Sequence, residues 1–406
     1  MIFLKRPRGY KIFSDPLYGF IKIPEGLLLR IIDHAWFQRL RHIKQTGLTY
    51  LVYPGAVHTR FHHLLGALHL TMQAIVELRD KGADITEEEE MGTYAAILLH
   101  DIGHGPFSHA LEGRWVKGVS HERLSLWYME ALNTLWDGEL DLAIALYKGS
   151  YPKRYLSQLI SSQLDMDRLD YLRRDSFYTG VAEGVIGQDR IIKTLAVADG
   201  RLVVEEKGKF SVEKFLIARY FMYWQVYLHK TVLAAEVMLQ KFWDRLKELA
   251  LDGAYTPISQ EVHYFIHLNN AEEVGKEDII CRHAGLTDVD LEFELKRALV
   301  ADDPLLRYLA DGLVRRRIFR LVFDKRGLSA EEKSALSKAM REVGISDLDA
   351  VVWHGEEKTR VYESQPVQEI YLRLKDGSVQ PLSQISTFHY EARPVARRYL
   401  CYPRLG

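Results

Sequence analysis

The stretch that decides the fold is Ala96-Ile-Leu-Leu-His100-Asp101-Ile-Gly-His104-Gly-Pro-Phe-Ser-His109. Residues 94–99 are apolar on nearly every side, which predicts a buried helix in the centre of a domain. That helix delivers His100 and Asp101 into a low-dielectric interior, where both groups are costly to bury unless they are paired or coordinate a metal. Imidazole and carboxylate together suit zinc, iron, manganese and similar divalent ions. The glycines that follow turn the chain, so His104 and His109 are expected close to the same spot.

A His-Asp doublet by itself also fits a plain helix cap, so the neighbouring motifs matter. Arg60-Phe-His-His63 precedes it, and Asp165-Met-Asp-Arg-Leu-Asp-Tyr-Leu-Arg-Arg-Asp175 follows it. If the second segment is helical, Asp167, Tyr171 and Asp175 stand at i, i+4 and i+8 on one face and form a pocket wall. The alternative is an exposed, charged helix held by Asp–Arg pairs.

The composition is that of an ordinary globular protein without an excess of either charge. The 406 residues include 54 basic and 55 acidic ones, which argues against general nucleic-acid binding but leaves room for a local basic pocket. Two cysteines, Cys281 and Cys401, are too few for a disulfide framework, and no apolar run reaches the roughly 18 residues of a membrane span. We therefore expect a cytoplasmic protein without membrane association.

The apolar pattern predicts a mostly α fold with a helical core, a small β-hairpin and a C-terminal α+β appendage. The core is expected over residues 1–250, with an N-terminal arm, the hairpin near 199–210 and a long helix over 211–249. The remainder, 251–406, mixes short helices with β-like runs such as Val361-Tyr362 and Glu369–Leu374. On the long helix, one face carries Arg219, Tyr223, Tyr227 and Lys230. Tyrosines alone fit a core stripe, and the two cations among them favour an anionic ligand.

The motifs in this order resemble the HD-domain deoxynucleoside triphosphate triphosphohydrolases, and most closely the bacterial relatives of the human SAM-and-HD-domain dNTPase. The resemblance runs from Lys11-Ile-Phe-Ser-Asp-Pro16 through Phe37–Gly47 to Tyr227-Leu-His-Lys230, more than half of the chain. It implies an HD-type helical core. It also implies hydrolysis of a dNTP, with dGTP among the candidates, to deoxynucleoside and triphosphate. A divalent ion (Mg, Mn, Fe, Co, Ni or Zn) would act as a Lewis acid.

The resemblance also implies roles for individual residues. The metal ligands would be His63, His100, Asp101 and Asp167, with Asp165 as a less favoured neighbour. The reaction centre would be lined by His104, His109, Glu112 and His121, with His109 as the preferred acid, base or nucleophile. The substrate would be held by Gln45, Arg60, Arg168, Tyr171, Asp175, Arg219 and Tyr227. A nucleotide effector would bind Lys11, Asp33 and Arg41 in a homodimer or homotetramer, although Asp33 with a nearby arginine also fits a simple surface pair.

Two departures from the family pattern concern the substrate. Thr46 follows Gln45 where family members often carry leucine, and Tyr223-Trp-Gln-Val226 replaces a segment rich in histidine and arginine. Fewer cations are therefore left for a triphosphate. Two other functions compete: an HD phosphatase or phosphodiesterase acting on nucleoside monophosphates or oligonucleotides, and a nucleotide-binding sensor with a structural metal. Tyr171, Asp175 and Tyr227 favour the dNTPase, because they fit a deoxyribose selector.

Overall fold

The computed structural model describes residues 9–268, 274–359, 369–386 and 395–404. Within these ranges the chain forms seventeen α-helices and nine short strands, which confirms the predicted mostly α class. Among the described residues, no helix is long and apolar enough to cross a membrane. Residues 1–8 of the predicted arm and the β-like run Val361-Tyr362 lie outside the described residues.

The first part of the chain builds a bundle around two long helices. Its helices are α1 (Leu27–Asp33), α2 (Ala35–Gln38), α3 (Arg60–Asp80), α4 (Glu87–Leu99), α5 (His121–Leu135), α6 (Asp141–Tyr147), α7 (Arg154–Ile160), α8 (Met166–Thr179), α9 (Gln188–Thr194), α10 (Lys209–Met222) and α11 (Lys230–Leu251). The later helices are α12 (Gln260–His267), α13 (Lys276–Gly285), α14 (Asp288–Ala298), α15 (Pro304–Val314), α16 (Ala330–Glu342) and α17 (Leu382–Ile385).

Three small sheets surround the helices. The strands are β1 (Tyr10–Asp15), β2 (Gly19–Pro24), β3 (Leu195–Ala198), β4 (Arg201–Glu205), β5 (Arg320–Phe323), β6 (Trp353–Thr359), β7 (Tyr371–Arg373), β8 (Val379–Pro381) and β9 (Val395–Tyr402). β1 and β2 form an antiparallel pair, the second sheet has the order β3-β4-β7-β8, and the third has the order β5-β9-β6. The second sheet joins the two parts of the chain, because β4 pairs in parallel with β7.

Helix α4 shows why the chain folds locally as the sequence indicates. The Thr86 hydroxyl accepts the Glu89 N–H at 3.1 Å, and the Glu89 carboxylate accepts the Thr86 N–H at 2.8 Å, so a capping box starts the helix. From Gly92 to Leu99 every residue is buried, as expected for a helix without a polar face. This central helix packs on α3 and α6 and carries the His-Asp pair at its C-terminal end.

The predicted continuous helix over 211–249 is wrong, because it is interrupted after Tyr227. Helix α10 ends in one π-helical turn, Tyr223–Tyr227, and His229 then adopts an extended backbone and caps α11 by accepting the Thr231 N–H. The break removes Lys230 from the predicted stripe and leaves it exposed. Arg219, Tyr223 and Tyr227 stay together on a cavity wall.

The hairpin near 199–210 exists but is shifted towards the N-terminus. Asp199 and Gly200, with φ of 51° and 69°, form the turn itself between β3 and β4, as expected for an Asp-Gly turn. The second group of turn residues, 206–208, is a short 3₁₀ turn that leads into α10. The sequence pattern placed this turn at the end of the hairpin, whereas it starts the next helix.

Two buried apolar clusters hold the molecule together. The first surrounds α3, α4 and α8 and also takes in Ile370, Leu372 and Leu382 from the late part of the chain. The second combines α11 and the helices that follow it with the loop after α4, including Phe107, Leu111 and Trp115. Packing therefore crosses residue 250 in both clusters. The division of the chain into domains at that residue stays a prediction.

Candidate active site

Three helices bring the predicted metal ligands to one point. α3 presents His63, α4 ends directly before His100 and Asp101, and α8 presents Asp167 from its first turn. The His63 Nε2 lies 3.0 Å from Asp167 Oδ1 and 3.9 Å from Asp101 Oδ2. The His100 Nε2 lies 3.5 Å from Asp167 Oδ1 and 3.5 Å from Asp101 Oδ1. The structure thus brings together all four residues.

The hydrogen bonds of the two imidazoles suit metal ligation. The Nδ1 atom of His63 bonds to Asp170 Oδ2, and that of His100 bonds to the Ile97 carbonyl, both at 2.8 Å. This arrangement leaves each Nε2 to carry the lone pair. Both Nε2 atoms are buried and without a hydrogen bond to any described residue. Since metal–ligand bonds of about 2.0 to 2.2 Å put neighbouring ligand atoms roughly 3 to 3.5 Å apart, the donor set fits a divalent ion.

The pKa shifts of the clustered side chains also favour a bound divalent ion. Burial alone would lower the pKa of His63, but the carboxylates of Asp167 and Asp170 raise it to about 10. Burial would raise the pKa of Asp167, and the two imidazoles lower it instead. The cluster therefore favours positive charge at its centre, which a divalent ion supplies. Asp165 does not compete as a ligand, because its oxygens are already engaged. One caps α8 by accepting the Arg168 N–H at 2.7 Å, and the other accepts the Ser162 N–H at 2.8 Å.

The predicted reaction-centre residues form a second cluster next to the metal ligands. The His104 ring is stacked on the His121 ring at 3.9 Å and meets the His109 ring edge-on at 4.8 Å. Glu112 contacts His109 Nδ1 at 2.9 Å with one oxygen and His121 Nδ1 with the other. Burial would raise the pKa of Glu112, and these two hydrogen bonds lower it. The ionised carboxylate thus orients both rings, and His109 remains largely exposed to the cavity.

Cationic and aromatic side chains line a cavity of about 660 Å³ beside the ligands. Arg60 is fully buried and pairs with Asp101, and its Nε donates to the Ser108 hydroxyl at 3.0 Å. Arg219 donates to Gln163 at 3.0 Å, and Arg168 contacts Asp165 at 3.2 Å. These three arginines place positive charge around one end of the cavity.

The predicted sugar-binding residues form a hydrogen-bonded group in the same wall. Asp175 accepts from Tyr227 Oη at 2.7 Å with one oxygen and contacts His58 Nε2 at 2.7 Å with the other. The Tyr171 and Tyr227 rings meet edge-on with their centroids 6.3 Å apart. Gln45 also lines the cavity, and its buried Oε1 has no hydrogen-bond partner among the described residues. The wall therefore combines aromatic faces with polar groups, as a sugar requires.

The predicted effector residues lie elsewhere, on the face formed by β1, α1 and the turn after α2. Lys11 Nζ pairs with Asp33 Oδ1 at 3.2 Å at the surface. The Arg41 guanidinium lies over the Phe61 ring at 3.5 Å. Asp33 therefore forms a surface ion pair, as the simpler alternative expected, but its partner is a lysine and not an arginine. The effector site stays a prediction.

Sequence reasoning missed a network that supports His63. Asp170 accepts from Arg174 Nε and Nη2 at 2.9 and 3.0 Å and from Tyr18 Oη at 2.8 Å. A Cβ at Gly66 would lie 2.0 Å from Asp170 Oδ1, so this glycine in the middle of α3 admits the pair. The Asp–Arg pairing considered for α8 is therefore correct for these two residues, but the pair is buried. The i, i+4 spacing of Asp170 and Arg174 in the sequence could have indicated this ion pair.

Two further positioning residues come from segments without an evident motif. Arg39 is buried and donates to the carbonyls of Ile102, His104 and Leu286 at 2.7 to 3.0 Å. Asp288 begins α14 and accepts the N–H groups of Phe107 and Lys44 at 2.7 and 2.9 Å. Both side chains fix the loop between His100 and His109, and nothing in the local sequence indicates their partners.

A helical core that brings His and Asp side chains from three helices to one buried point defines an HD-type metal centre. Residues 60–175 match the HD domain, and residues 186–279 match the HD-associated region. The chain therefore belongs to the HD-domain phosphohydrolase family, as its motifs led us to expect.

Known proteins support this assignment. A crystal structure of a phosphohydrolase from Bacteroides thetaiotaomicron superposes with a TM-score of 0.91 at 46% identity, covering 97% of this chain and 100% of that one. The uncharacterized protein YwfO of Bacillus subtilis is 32% identical over 93% of this chain and 88% of its own length. The deoxynucleoside triphosphate triphosphohydrolase SAMHD1 homolog of Dictyostelium discoideum is 32% identical over 57% of this chain. The match spans 48% of that protein.

Proposed function

We propose that this protein hydrolyses deoxynucleoside triphosphates to deoxynucleoside and inorganic triphosphate. The observation that carries the proposal is the hydrogen-bonded group of Asp175, Tyr227 and His58 beside the metal ligands. A carboxylate held between a tyrosine and a histidine offers an acceptor for a sugar hydroxyl, and the Tyr171 and Tyr227 rings limit the space around it. The SAMHD1 relatives, which bear the name of this activity, add support although they share only about half of their length with the chain.

Three groups of residues in the cavity have different roles in this reaction. Arg60, Arg168 and Arg219 stabilise the negative charge of the phosphates, which is usually the largest contribution to catalysis. A divalent ion held by the ligands His63, His100, Asp101 and Asp167 would supply Lewis-acid chemistry at the α-phosphoryl group. Tyr171, Asp175 and Tyr227 form what we call the sugar wall. This wall fixes the deoxyribose so that the α-phosphorus faces the histidine cluster.

The histidine cluster provides the proton for the leaving group. As a water oxygen bonds to the α-phosphorus, the bond from phosphorus to the 5′-oxygen breaks and that oxygen takes up a proton from a histidine. The attacking water releases a proton to the solvent, from which the histidine is protonated again, and the products are deoxynucleoside and triphosphate. His109 is the exposed member of the cluster, and the ionised Glu112 fixes its ring through Nδ1 at 2.9 Å. We assign the proton donation to His109, with Glu112 as the residue that orients it.

The proposal is tested by incubating the purified protein with Mg²⁺, Mn²⁺, Fe²⁺ or Co²⁺ and each dNTP, singly and as mixtures. Products are separated by chromatography. Deoxynucleoside plus triphosphate is the expected result, with a loss of at least about 100-fold in Asp167→Ala. Asp189→Ala, which removes an exposed carboxylate on α9, is the control and keeps full activity. Cleavage of monophosphates or oligonucleotides alone would overturn the substrate assignment, and nucleotide binding without turnover under any condition would indicate a sensor.

A further inference from the structure

Two carboxylates line the cavity at a place that the proposed chemistry does not use. Glu236 lies on α11, two turns after its start, and Glu357 lies on β6 in the last quarter of the chain. Both belong to the lining of the cavity that contains Asp167, Tyr171 and Tyr227. Both side chains are half-buried.

Neither carboxylate has a partner within the part of the chain that the structure describes. No hydrogen bond or ion pair reaches Glu236 or Glu357 there. The residue opposite Glu357 in the strand pair is Arg397. Its guanidinium is committed to Asp324 at 2.7 Å and to the Phe323 ring at 4.3 Å. Desolvated carboxylates without a partner are costly, so their presence in a substrate cavity calls for a ligand that carries donors.

The pKa values of both carboxyl groups are raised above those of ordinary surface glutamates. Burial raises the pKa of Glu236, and the negative charge of Glu357 raises it further, to about 8. Burial also raises the pKa of Glu357. Near neutral pH the Glu236 carboxyl group is therefore mainly protonated. One carboxyl O–H is then available as a donor, next to carboxylate oxygens that accept.

Their position relative to the sugar wall indicates which part of a nucleotide they face. Tyr227 ends the π-helical turn, and α11 starts three residues later and packs on residues 47–51 and 108–111. The metal ligands belong instead to α3, α4 and α8. Leu233 and Gln240, one turn on either side of Glu236, line the same wall, and Gln240 is fixed by donating to the Ala110 carbonyl at 3.0 Å. Two carboxyl groups without a cation disfavour the phosphates, which the arginines and the metal ligands attract, so this wall suits the base.

We propose that Glu236 and Glu357 read the nucleobase of the substrate and favour guanine. The inference rests on the proposed dNTPase function. Guanine presents N1–H and N2–H side by side, which one carboxylate accepts together, and its O6 accepts from the protonated partner. Thymine presents one N–H between two carbonyl oxygens, which a carboxylate repels. A site built for such donors discriminates strongly, because the wrong base leaves its polar groups unpaired.

The test compares dGTP with dTTP as competing substrates of the metal-loaded protein. We expect kcat/KM for dGTP to exceed that for dTTP by at least tenfold. Glu236→Gln and Glu357→Gln should each reduce this ratio several-fold, because each lowers kcat/KM for dGTP more than for dTTP. The matched control is Glu356→Gln, an exposed neighbour on the opposite face of β6 that pairs with Arg398, and it should keep the ratio. An unchanged ratio in both cavity variants would overturn the inference.

A second measurement needs no substitution at the carboxylates. dITP lacks the 2-amino group of guanine, so the wild-type protein should bind dGTP several-fold more tightly than dITP in equilibrium titrations. The same titrations on Asp167→Ala measure base preference without turnover. If no dNTP is hydrolysed but dGTP is bound preferentially, the proposed function fails and the base-reading pair stands. If all dNTPs are hydrolysed and bound equally, the pair has no such role and the function stands.

Discussion

Asp170 shows how much the candidate metal centre depends on a residue that is not one of its predicted ligands. Its carboxylate holds the His63 ring through Nδ1 at 2.8 Å and is itself held by Arg174 and Tyr18. Four donors thus converge on one buried side chain. The ring of His63 is consequently fixed in the orientation that turns Nε2 toward Asp167.

We predict that Asp170→Asn weakens metal binding by about 10- to 100-fold, because the amide turns a donor toward one of its present donors. Equilibrium dialysis with Mn²⁺ or Co²⁺ measures the change. Tyr18→Phe is the control, since it removes one hydrogen bond from the same carboxylate without touching His63. A folded Asp170→Asn protein with wild-type metal affinity would show that the orientation of His63 does not depend on this contact.

The residue scale also shows what a sequence reveals about a site. The proximity of His63, His100 and Asp167 was predictable, because each belongs to a short motif whose residue types suit metal ligation. Their role as ligands stays a prediction. Asp288 and Arg39 were not, because they act through backbone N–H and carbonyl groups of segments far away in sequence. Glu236 and Glu357 were hidden for a related reason. A lone glutamate carries no local sign of the cavity that it faces.

Among the elements, α4 depends on Glu89 more than its exposed acidic start suggests. Besides the capping box, the Glu89 carboxylate accepts from Lys153 Nζ at 2.9 Å and Tyr151 Oη at 2.7 Å, so it ties α4 to the segment before α7. Burial alone would raise the pKa of Glu89, and the Thr86 N–H, Lys153 and Tyr151 lower it. Its ionised form is therefore the stabilising one.

Glu89→Gln should lower the free energy of unfolding by about 1 to 2 kcal/mol at pH 7, where the charge-assisted bonds are complete. Because the pKa is lower in the folded state than the roughly 4.3 of the unfolded state, this stabilisation is lost as the pH falls below about 4. Urea unfolding at pH 7 and at pH 3.5 should show the difference between wild type and variant shrinking. Glu88→Gln, exposed in the same turn, should match wild type. A difference independent of pH would exclude the charge as its cause.

Helix positions were easier to predict than helix ends. The buried α4 followed from apolar residues alone. The interruption after Tyr227 did not follow, because Tyr223–Val226 continues the apolar pattern without glycine or proline. In the π-helical turn, Tyr223 and Tyr227 both line the cavity. The hairpin was misplaced because an Asp-Gly turn can either connect two strands or precede the first of them. The residue pattern alone did not distinguish these two arrangements.

Across the whole molecule, the late part of the chain holds the loop that carries His104 and His109. Asp288 accepts the N–H of Phe107, whose φ of 53° is unusual for a residue with a side chain. Gly47 packs on the same residue, and a Cβ there would lie 2.9 Å from the Phe107 carbonyl oxygen. The loop that carries His104 and His109 is thus fixed from two sides, one of them beyond residue 250.

Asp288→Ala should therefore impair catalysis without touching the cavity lining. Two buried N–H groups would lose their acceptor, which costs about 2 to 4 kcal/mol of stability. We expect at least a tenfold fall in kcat with a smaller change in metal affinity, measured by steady-state kinetics and dialysis. Asp302→Ala, an exposed residue before α15, is the control. A variant that is destabilised yet keeps full kcat would show that the loop holds its conformation unaided.

The parallel pairing of β4 with β7 also determines when this protein can finish folding during synthesis. Val204 lies opposite Leu372, so 168 residues separate the partners along the chain. At about 5 to 20 residues per second, a ribosome needs roughly 10 to 30 s to make the intervening segment. During that interval β3 and β4 form a hairpin with one unpaired edge, while α3, α4 and α8 are already available to assemble. A nascent chain arrested before residue 371 should therefore keep the β4 edge open to other strands, including those of a neighbouring nascent chain.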